Sequence, residues 1–444
     1  MADKTLLRAF RAALVEVDQP IGPEDTRYVP GLHGSNEEDV IIALLEEILT
    51  RPAVDSHLFY FTGQRGTGKS TELRRLEQLL QGEGAQVIRF DSLDFITETE
   101  KVTIESVLLL VTAGLAAWAD EYYRQDFLVA NAWQRFAAWL GTDVQLTEVT
   151  AHGLKLALKE QQASVAEKIR QLSTPLEWTK KVQDFAGAIV DFIRDRTRRD
   201  RVVVIVDSLE RLRGVSSADQ DAMFQHVITT FAGDFDRLRL PGASVVYSVP
   251  PYLALMADVR SFVACFALAS VRVFGKPLDN HSVSASRRQP RAEGLEKMRS
   301  LIARRYPEWS EVIDSDTLDE LAKASGGDLR HFMQRLVSGV VGKALYAIER
   351  LPLGPRDKLV LQVIDENRGE TERLTVKSEW PLLADIARTH NAIAADRGDS
   401  LRTLARLFDT RVILNYRNGA EWFDIHPLLW PLIDQWHEQQ RPAA

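Results

Sequence analysis

Gly63-Gln64-Arg65-Gly66-Thr67-Gly68-Lys69-Ser70 decides the fold of this chain. The stretch fits G-x-x-x-x-G-K-[ST], a pattern whose glycines let the backbone wrap around phosphate groups. Its flanks suit that reading. His57-Leu58-Phe59-Tyr60-Phe61 before it reads as a short buried strand. Thr71 to Leu80 after it reads as a helix, with Leu73, Leu76, Leu79 and Leu80 on one face. A loop between strand and helix turns its N–H groups and the helix N-terminus toward an anion. In that geometry Lys69 reaches the β- and γ-phosphates of ATP and the Ser70 hydroxyl binds Mg2+. Gly63, Gln64, Arg65, Gly66, Thr67, Gly68 and Thr71 complete the cradle.

A second motif fits the first. Arg201-Val202-Val203-Val204-Ile205-Val206-Asp207 is an apolar, β-branched run ending in a carboxylate. Such a run is a strand buried on both faces of a parallel sheet. Its terminal acid lies in the crevice where α/β sheets bind ligands. Asp207 is therefore the expected acid on the Mg2+ side. Glu210, three residues on, has two readings. It is a base for the attacking water, or a charge that favours a helix N-terminus.

Composition sets bounds. The 444 residues suffice for two or three domains, each with a core. Hydrophobic content of 45% and charged content of 27% are ordinary for a soluble protein. The single cysteine, Cys265, excludes a disulfide framework within one chain and points to a reducing, cytoplasmic setting. Its apolar surroundings suggest inert core. The N-terminus begins an amphipathic helix and lacks a signal peptide. The longest apolar run, Val107 to Ala119, is too short to span a bilayer, so no membrane is expected. A net charge of −8 argues against bulk attraction to nucleic acid.

The chain alternates strands with helices: His57–Phe61, Gln86–Phe90, Val202–Val206, Ser244–Val249 and Leu268–Phe274 are the strand candidates. This implies an α/β fold, a three-layer parallel sheet. The divisions expected are a helical lead-in over 1–50, a core over 51–275, a helical lid over 276–353 and a winged helix over 354–444. Within the core, 94–199 reads as a helical insertion, with helical patterns at Ile104–Tyr123, Ala163–Leu172 and Val182–Arg194. The arginines from Arg194 to Arg201 alternate with Asp191, Asp195 and Asp200, as on a solvated helix end. Gly275 to Arg291 reads as an exposed loop. In the lid, Ser325-Gly326-Gly327-Asp328-Leu329-Arg330 opens a helix. There Arg330 is either a reporter of the γ-phosphate or a surface residue. The last segment holds helices at Lys358–Glu366, Pro381–Arg388 and Leu401–Phe408, then a hairpin turning at Asn418-Gly419. From Gly354 onward 12 Lys and Arg stand against 14 Asp and Glu. A DNA reader shows a clearer cationic stripe, so protein contact is favoured over DNA contact.

The Asp207-Ser208-Leu209-Glu210 spacing resembles the signal-transduction (STAND) branch of P-loop ATPases, and the order of core, lid and winged helix is shared with the AAA+ archaeal origin-binding initiators. The Gly326-Gly327-x-x-Arg330 element is similar to the initiators' sensor. The likeness covers about Tyr28 to Trp436. It implies an ATPase, slow or stimulated by a partner. It implies that Arg260, at the end of the helix between the fourth and fifth strands, is a trans-acting finger; a surface arginine is the other reading. It implies that Tyr28 and Val29, in Arg27-Tyr28-Val29-Pro30-Gly31, pack on adenine. Ser248 is the one polar residue at the sensor position ending the fourth strand. The chain departs from STAND proteins in lacking a repeat array and a separate effector domain.

The expectation is a regulatory ATPase using ATP and Mg2+ to control a separately encoded effector or its own assembly as a homo-oligomer. The resemblance suggests a setting in bacterial conflict or phage defence. The alternative is a DNA-acting ATPase, like an initiator or transposition regulator. It would use Arg287, Arg288 and Arg291 with the winged helix, whose third helix carries Arg402 and Arg406 between Arg397 and Arg411.

Overall fold

The computed structural model describes residues 4–15, 20–34, 38–95, 102–122, 175–211, 217–277, 288–347, 350–392 and 399–440. The Ala163–Leu172 pattern, Arg287 and Arg397 lie outside them, as does the side chain of Glu210. Along the chain, helices α1 (Lys4–Val15) and α2 (Val40–Thr50) precede strand β1 (His57–Gly63). Helix α3 (Lys69–Gly82) leads to β2 (Gln86–Asp91), and α4 (Ile104–Tyr122) and α5 (Pro175–Thr197) come before β3 (Val202–Asp207). Next are α6 (Ser217–Ile228), β4 (Ser244–Val249), α7 (Ala257–Phe262) and β5 (Ala264–Leu268). Helices α8 (Ala292–Ala303) and α9 (Ser315–Ser325) lead to a π-helical turn, His331–Val337, that runs into α10 (Ser338–Ala344). Helices α11 (Lys358–Glu372), α12 (Trp380–Thr389) and α13 (Asp399–Asp409) are followed by the hairpin β6 (Ile413–Asn418) and β7 (Ala420–Ile425), then α14 (Trp430–Gln439).

Residues 41–62 and 75–267 form one compact unit. Its sheet has the order β2-β3-β4-β1-β5. Strand β1 runs parallel to β4, and β3 parallel to both β2 and β4. Every residue of β3 is buried, as its Val-Ile composition requires of a central parallel strand. Because the strands are parallel, β1 and β3 end on the same edge of the sheet. At that edge Asp91 of β2 stands in register with Asp207 of β3.

Two expectations for this unit need correction. The Arg-rich stretch is a solvated helix end only in part: Arg196 and Arg198 are exposed, but Arg194, Arg199 and Arg201 are half-buried and bonded to backbone carbonyls. Arg201 donates to the carbonyls of Ile48 (2.6 Å) and Leu49 (3.0 Å), which α2 leaves without helical partners. Arg199 donates to Ala85 O (2.7 Å) and Arg194 to Gly242 O (2.5 Å). These cations fasten loops to helix ends. Cys265 is half-buried on β5 rather than inert core.

Residues 1–40, 63–74 and 268–444 form the second unit. The fifth strand was expected over Leu268–Phe274, but β5 ends at Leu268. Val271 and Val273, within the expected strand, serve other partners. Ser270 N donates to Asn415 O (2.9 Å), Val271 N to Gly327 O (3.2 Å), and Val273 O accepts from Arg291 N (2.9 Å). The apolar period is real, and its backbone bonds go to the lid and hairpin.

Helix α9 ends at Gly326 in the left-handed conformation, φ 63°. The hairpin is tied there: Tyr416 Oη donates to Gly326 O (2.6 Å), and Arg411 Nη1 to Asp328 Oδ2 (3.1 Å). A buried chain of rings adds to this. His426 Nδ1 accepts from Leu428 N (3.3 Å), so its proton sits on Nε2, which faces His331 Nδ1 at 2.9 Å. His331 Nε2 then donates to Asn367 Oδ1 (3.1 Å). Each bond is satisfied with both rings neutral. Burial holds both rings below the usual histidine range, most strongly His426.

The expected exposed loop before α8 is also corrected at its end. Arg288 is 5% exposed and forms a forked pair with Asp424 of β7, at 3.0 and 3.1 Å. Its guanidinium lies 4.9 Å from the Trp430 ring centre. Truncating one member of a pair this buried costs about 3–5 kcal/mol, because the other charge stays behind. Arg291 pairs with Glu293, Arg402 with Asp399 and Arg406 with Glu379. Arg288, Arg291, Arg402, Arg406 and Arg411 are thus each paired with a carboxylate of the same unit.

Candidate functional site

The loop leaves β1 and enters α3 at Lys69. Gly66 and Gly68 take φ of 92° and 91°, a region closed to most side chains. The loop is folded on its own carbonyls. Gln64 O accepts from Thr67 Oγ1 (2.8 Å) and N (3.3 Å), and Lys69 Nζ donates to Gly63 O (2.9 Å) and Gln64 O (3.1 Å). Arg65, Ser70 and Thr71 are half-buried beside it. Lys69 and the N-terminus of α3 thus stand together at a glycine-rich turn, the combination of groups that suits a phosphate.

Three groups from other parts of the second unit reach this loop. Arg330, at the entry to the π-helical turn, lies against Gly66: a Cβ added to that glycine would stand 2.8 Å from Arg330 Cβ and 3.5 Å from its Nε. Only glycine admits the arginine this closely. His33 was not singled out in the sequence. Its Nε2 comes within 3.6 Å of the corresponding position at Gly68, while its Nδ1 donates to Ala269 O at 2.8 Å. Burial pushes its basicity down, so the ring presents a bare nitrogen to the loop. Tyr28 and Val29 are both buried, and Tyr28 Oη donates to Glu72 Oε1 (3.2 Å) in the first turn of α3. The lead-in therefore packs on the helix that follows the loop.

The other acidic and polar candidates belong to the sheet unit. Asp207 is 2% exposed and accepts from Ser208 N at 2.7 Å. Ser208 has φ 68°, rare for a residue with a side chain. Its hydroxyl donates to Asp91 Oδ2 at 2.9 Å. Burial raises the affinity of Asp91 for a proton, against the pull of the Leu93 N–H and the Ser208 hydroxyl. Asp91 could have been found from sequence, since it ends the second strand as Asp207 ends the third. Glu210 follows in a short turn, Leu209–Arg211. Ser248 is fully buried on β4. Arg260 is exposed in the last turn of α7, between β4 and β5. Among the described residues no cluster of three or more His, Cys, Asp or Glu could hold a metal alone.

No protein family matches the chain, and no curated protein matches it in sequence. Several solved structures resemble it distantly. The Walker-type ATPase PABY2304 of Pyrococcus abyssi shares 13% identity, with a TM-score of 0.37, over 90% of this chain and 95% of its own. The Orc1 protein of Aeropyrum pernix, solved in complex with DNA, shares 14% with a TM-score of 0.34, covering 96% and 98%. Cdc6p from Pyrobaculum aerophilum shares 14% with a TM-score of 0.36, covering 94% and 99%. Likenesses this distant carry no functional assignment.

Proposed function

We propose that the chain is a regulatory ATPase, which binds and hydrolyses ATP to control a partner protein or its own assembly. One observation carries the reading: the G-x-x-x-x-G-K-[ST] loop, with left-handed glycines at 66 and 68, has Arg330 of the lid packed directly on Gly66. A lid cation on the phosphate loop has a reason to be there if the loop holds an anion whose charge changes on hydrolysis.

In this reading Lys69 leaves the Gly63 and Gln64 carbonyls for the β- and γ-phosphates. The loop N–H groups hold the phosphates in place, and Arg330 reports the γ-phosphate from its own chain. His33 and Glu72 fix the loop's outer wall, with Tyr28 and Val29 on the adenine side. The hydroxyl of Ser70 and the carboxylate of Asp207 are hard oxygen donors of the kind that would hold Mg2+. The ion would neutralise charge developing on the phosphates. Glu210 is assigned as the base that orients water, Ser248 as the polar residue facing the nucleotide from β4, and Arg260 as a finger offered to a neighbouring copy.

The partner is a separately encoded effector, in a setting such as bacterial conflict, and the winged helix is its contact surface. DNA is the weaker candidate, because Arg288, Arg402, Arg406 and Arg411 are each engaged by a carboxylate of their own unit. No described helix is long and apolar enough to cross a membrane. Calorimetry with Mg2+ and ATP, coupled to phosphate release, tests the reading. Binding that Lys69→Ala removes is expected; equal affinity in that variant would sink it.

A further inference from the structure

We infer that Gln64 latches the phosphate-binding loop to the C-terminal hairpin, so that nucleotide loading and hairpin docking compete for the conformation of residue 64. The inference rests on the ATP reading of the loop and adds the residue through which that site is regulated. Residue 64 is a variable position of the motif, where phosphate chemistry demands no side chain. Here it is a glutamine only 1% exposed. Its Nε2 donates to the Ile413 carbonyl at the start of β6. The Phe408 carbonyl, near the end of α13, lies at the outer limit of bonding, 3.4 Å. Its Oε1 faces the Ser270 hydroxyl at 3.5 Å, and Ser270 N is itself bonded to Asn415 O of β6 (2.9 Å). One side chain of the loop is thus anchored in the junction between α13 and β6, about 340 residues away.

The same residue organises the loop from its backbone. Its carbonyl takes the Thr67 N–H, the Thr67 hydroxyl and the Lys69 ammonium. When Lys69 turns to a phosphate, that carbonyl loses its ammonium partner and Gly63 O loses the same one. The loop is free to re-form, because its glycines lie where backbone rotation is cheap. Residue 64 cannot follow without drawing its amide from the Ile413 carbonyl, and a buried carbonyl left bare is costly. Two further ties in this region go to the residues just before Arg330: Tyr416 of β6 bonds Gly326, and Arg411, two residues before β6, bonds Asp328. Loop and lid therefore hold the hairpin at separate points, and the latch governs the α13–β6 junction.

Because coupling is reciprocal, loosening the hairpin should tighten nucleotide. The test uses the full chain, with hydrogen exchange and calorimetry, with and without Mg2+ and a non-hydrolysable ATP analogue. In the parent, the analogue should speed exchange several-fold over residues 404–416. Gln64→Met keeps the bulk and removes the amide. It should exchange fast there without nucleotide, gain little more with it, and bind the analogue about three- to tenfold more tightly. Parent-like exchange, or affinity equal to the parent or weaker, would overturn the latch. Should Gln64→Met fail to fold, Arg411→Asn breaks the Asp328 tie without touching the loop. It should also tighten nucleotide, and unchanged affinity there overturns the competition. A parent that binds no nucleotide overturns the ATP reading and the competition with it. A parent that binds while the variants match it overturns the competition alone.

Discussion

The phosphate loop and the strand end that carries Asp207 are built in opposite ways. The loop Gly63–Ser70 is shaped by residues far off in sequence: Arg330 on Gly66, His33 beside Gly68, and the Phe408 and Ile413 carbonyls around Gln64. The strand end is shaped close to home. Asp207 is bonded by the next residue, Ser208, which in turn bonds the register partner Asp91. The difference suggests a division of labour. An acid that must meet a metal needs only a rigid strand under it. A loop that must signal needs partners in the part of the chain it informs.

That contrast predicts which measurements respond to which end. The largest effect belongs to the strand end and should appear in turnover alone. Glu210→Gln should bind ATP like the parent and hydrolyse it about 10²–10⁴-fold more slowly. Parent-like hydrolysis would leave Asp91, already raised toward protonation by burial, as the next acid to replace.

At the loop end the effect should fall on binding. Lys69→Ala should weaken ATP about 10²-fold or more, since a buried charge on phosphate is lost. Strand-end substitutions should spare affinity. Equal losses at both ends would erase the contrast.

The third prediction concerns acid. His33, His331, His390 and His426 are all held below the usual histidine range by burial, His390 at about 4. They must be neutral in the folded unit, whereas an unfolded chain takes up protons below about pH 6.5. Their stability contribution is present above that value and is lost as pH falls. For His390 alone the loss by pH 4 is about 3 kcal/mol. Hydrogen exchange at pH 7 and pH 5 should show the hairpin and lid loosening while β3 and β4 stay protected. Uniform loosening would contradict it.

The smallest effects separate the two arginines. Arg330→Ala should change ATP affinity by about tenfold or less and abolish any nucleotide-dependent change in size seen by small-angle scattering. Arg260→Ala should leave the isolated chain unaffected and alter only assembly or turnover at high concentration, read by light scattering. A silent Arg330→Ala with an impaired Arg260→Ala, dilute, would reverse their roles.

Much of this was legible in the sequence. The loop and the Asp207 strand carry local patterns, glycines at fixed spacing and a run of β-branched residues, and local patterns survive without knowledge of the fold. The parallel sheet followed from the alternation. What was not legible depended on partners distant in sequence. Val271 and Val273 alternate as a strand would, yet their backbone bonds belong to Gly327 and Arg291. Arg288 sits in a polar stretch that reads as solvent-facing, and only Asp424, 136 residues on, explains its burial. Gln64 occupies a position the motif leaves unspecified, so nothing in the motif points to Ile413.

The unit that contains the phosphate loop is assembled from three separated stretches, 1–40, 63–74 and 268–444. This bears on how the chain is made. The sheet unit draws its residues from 41–62 and 75–267, so it is all available for pairing while residues 268–444 are still being synthesised. The loop emerges early but acquires the partners of Gln64 and Arg330 only after more than two hundred further residues. At about 5–20 residues per second that is a wait of ten seconds or more. During it the glycine-rich loop is exposed without its lid. Contacts between ends so remote in sequence are also slow to close. A nascent chain should therefore be most open to proteases and chaperones at this loop, and a shortened chain ending before Arg330 should remain in that condition.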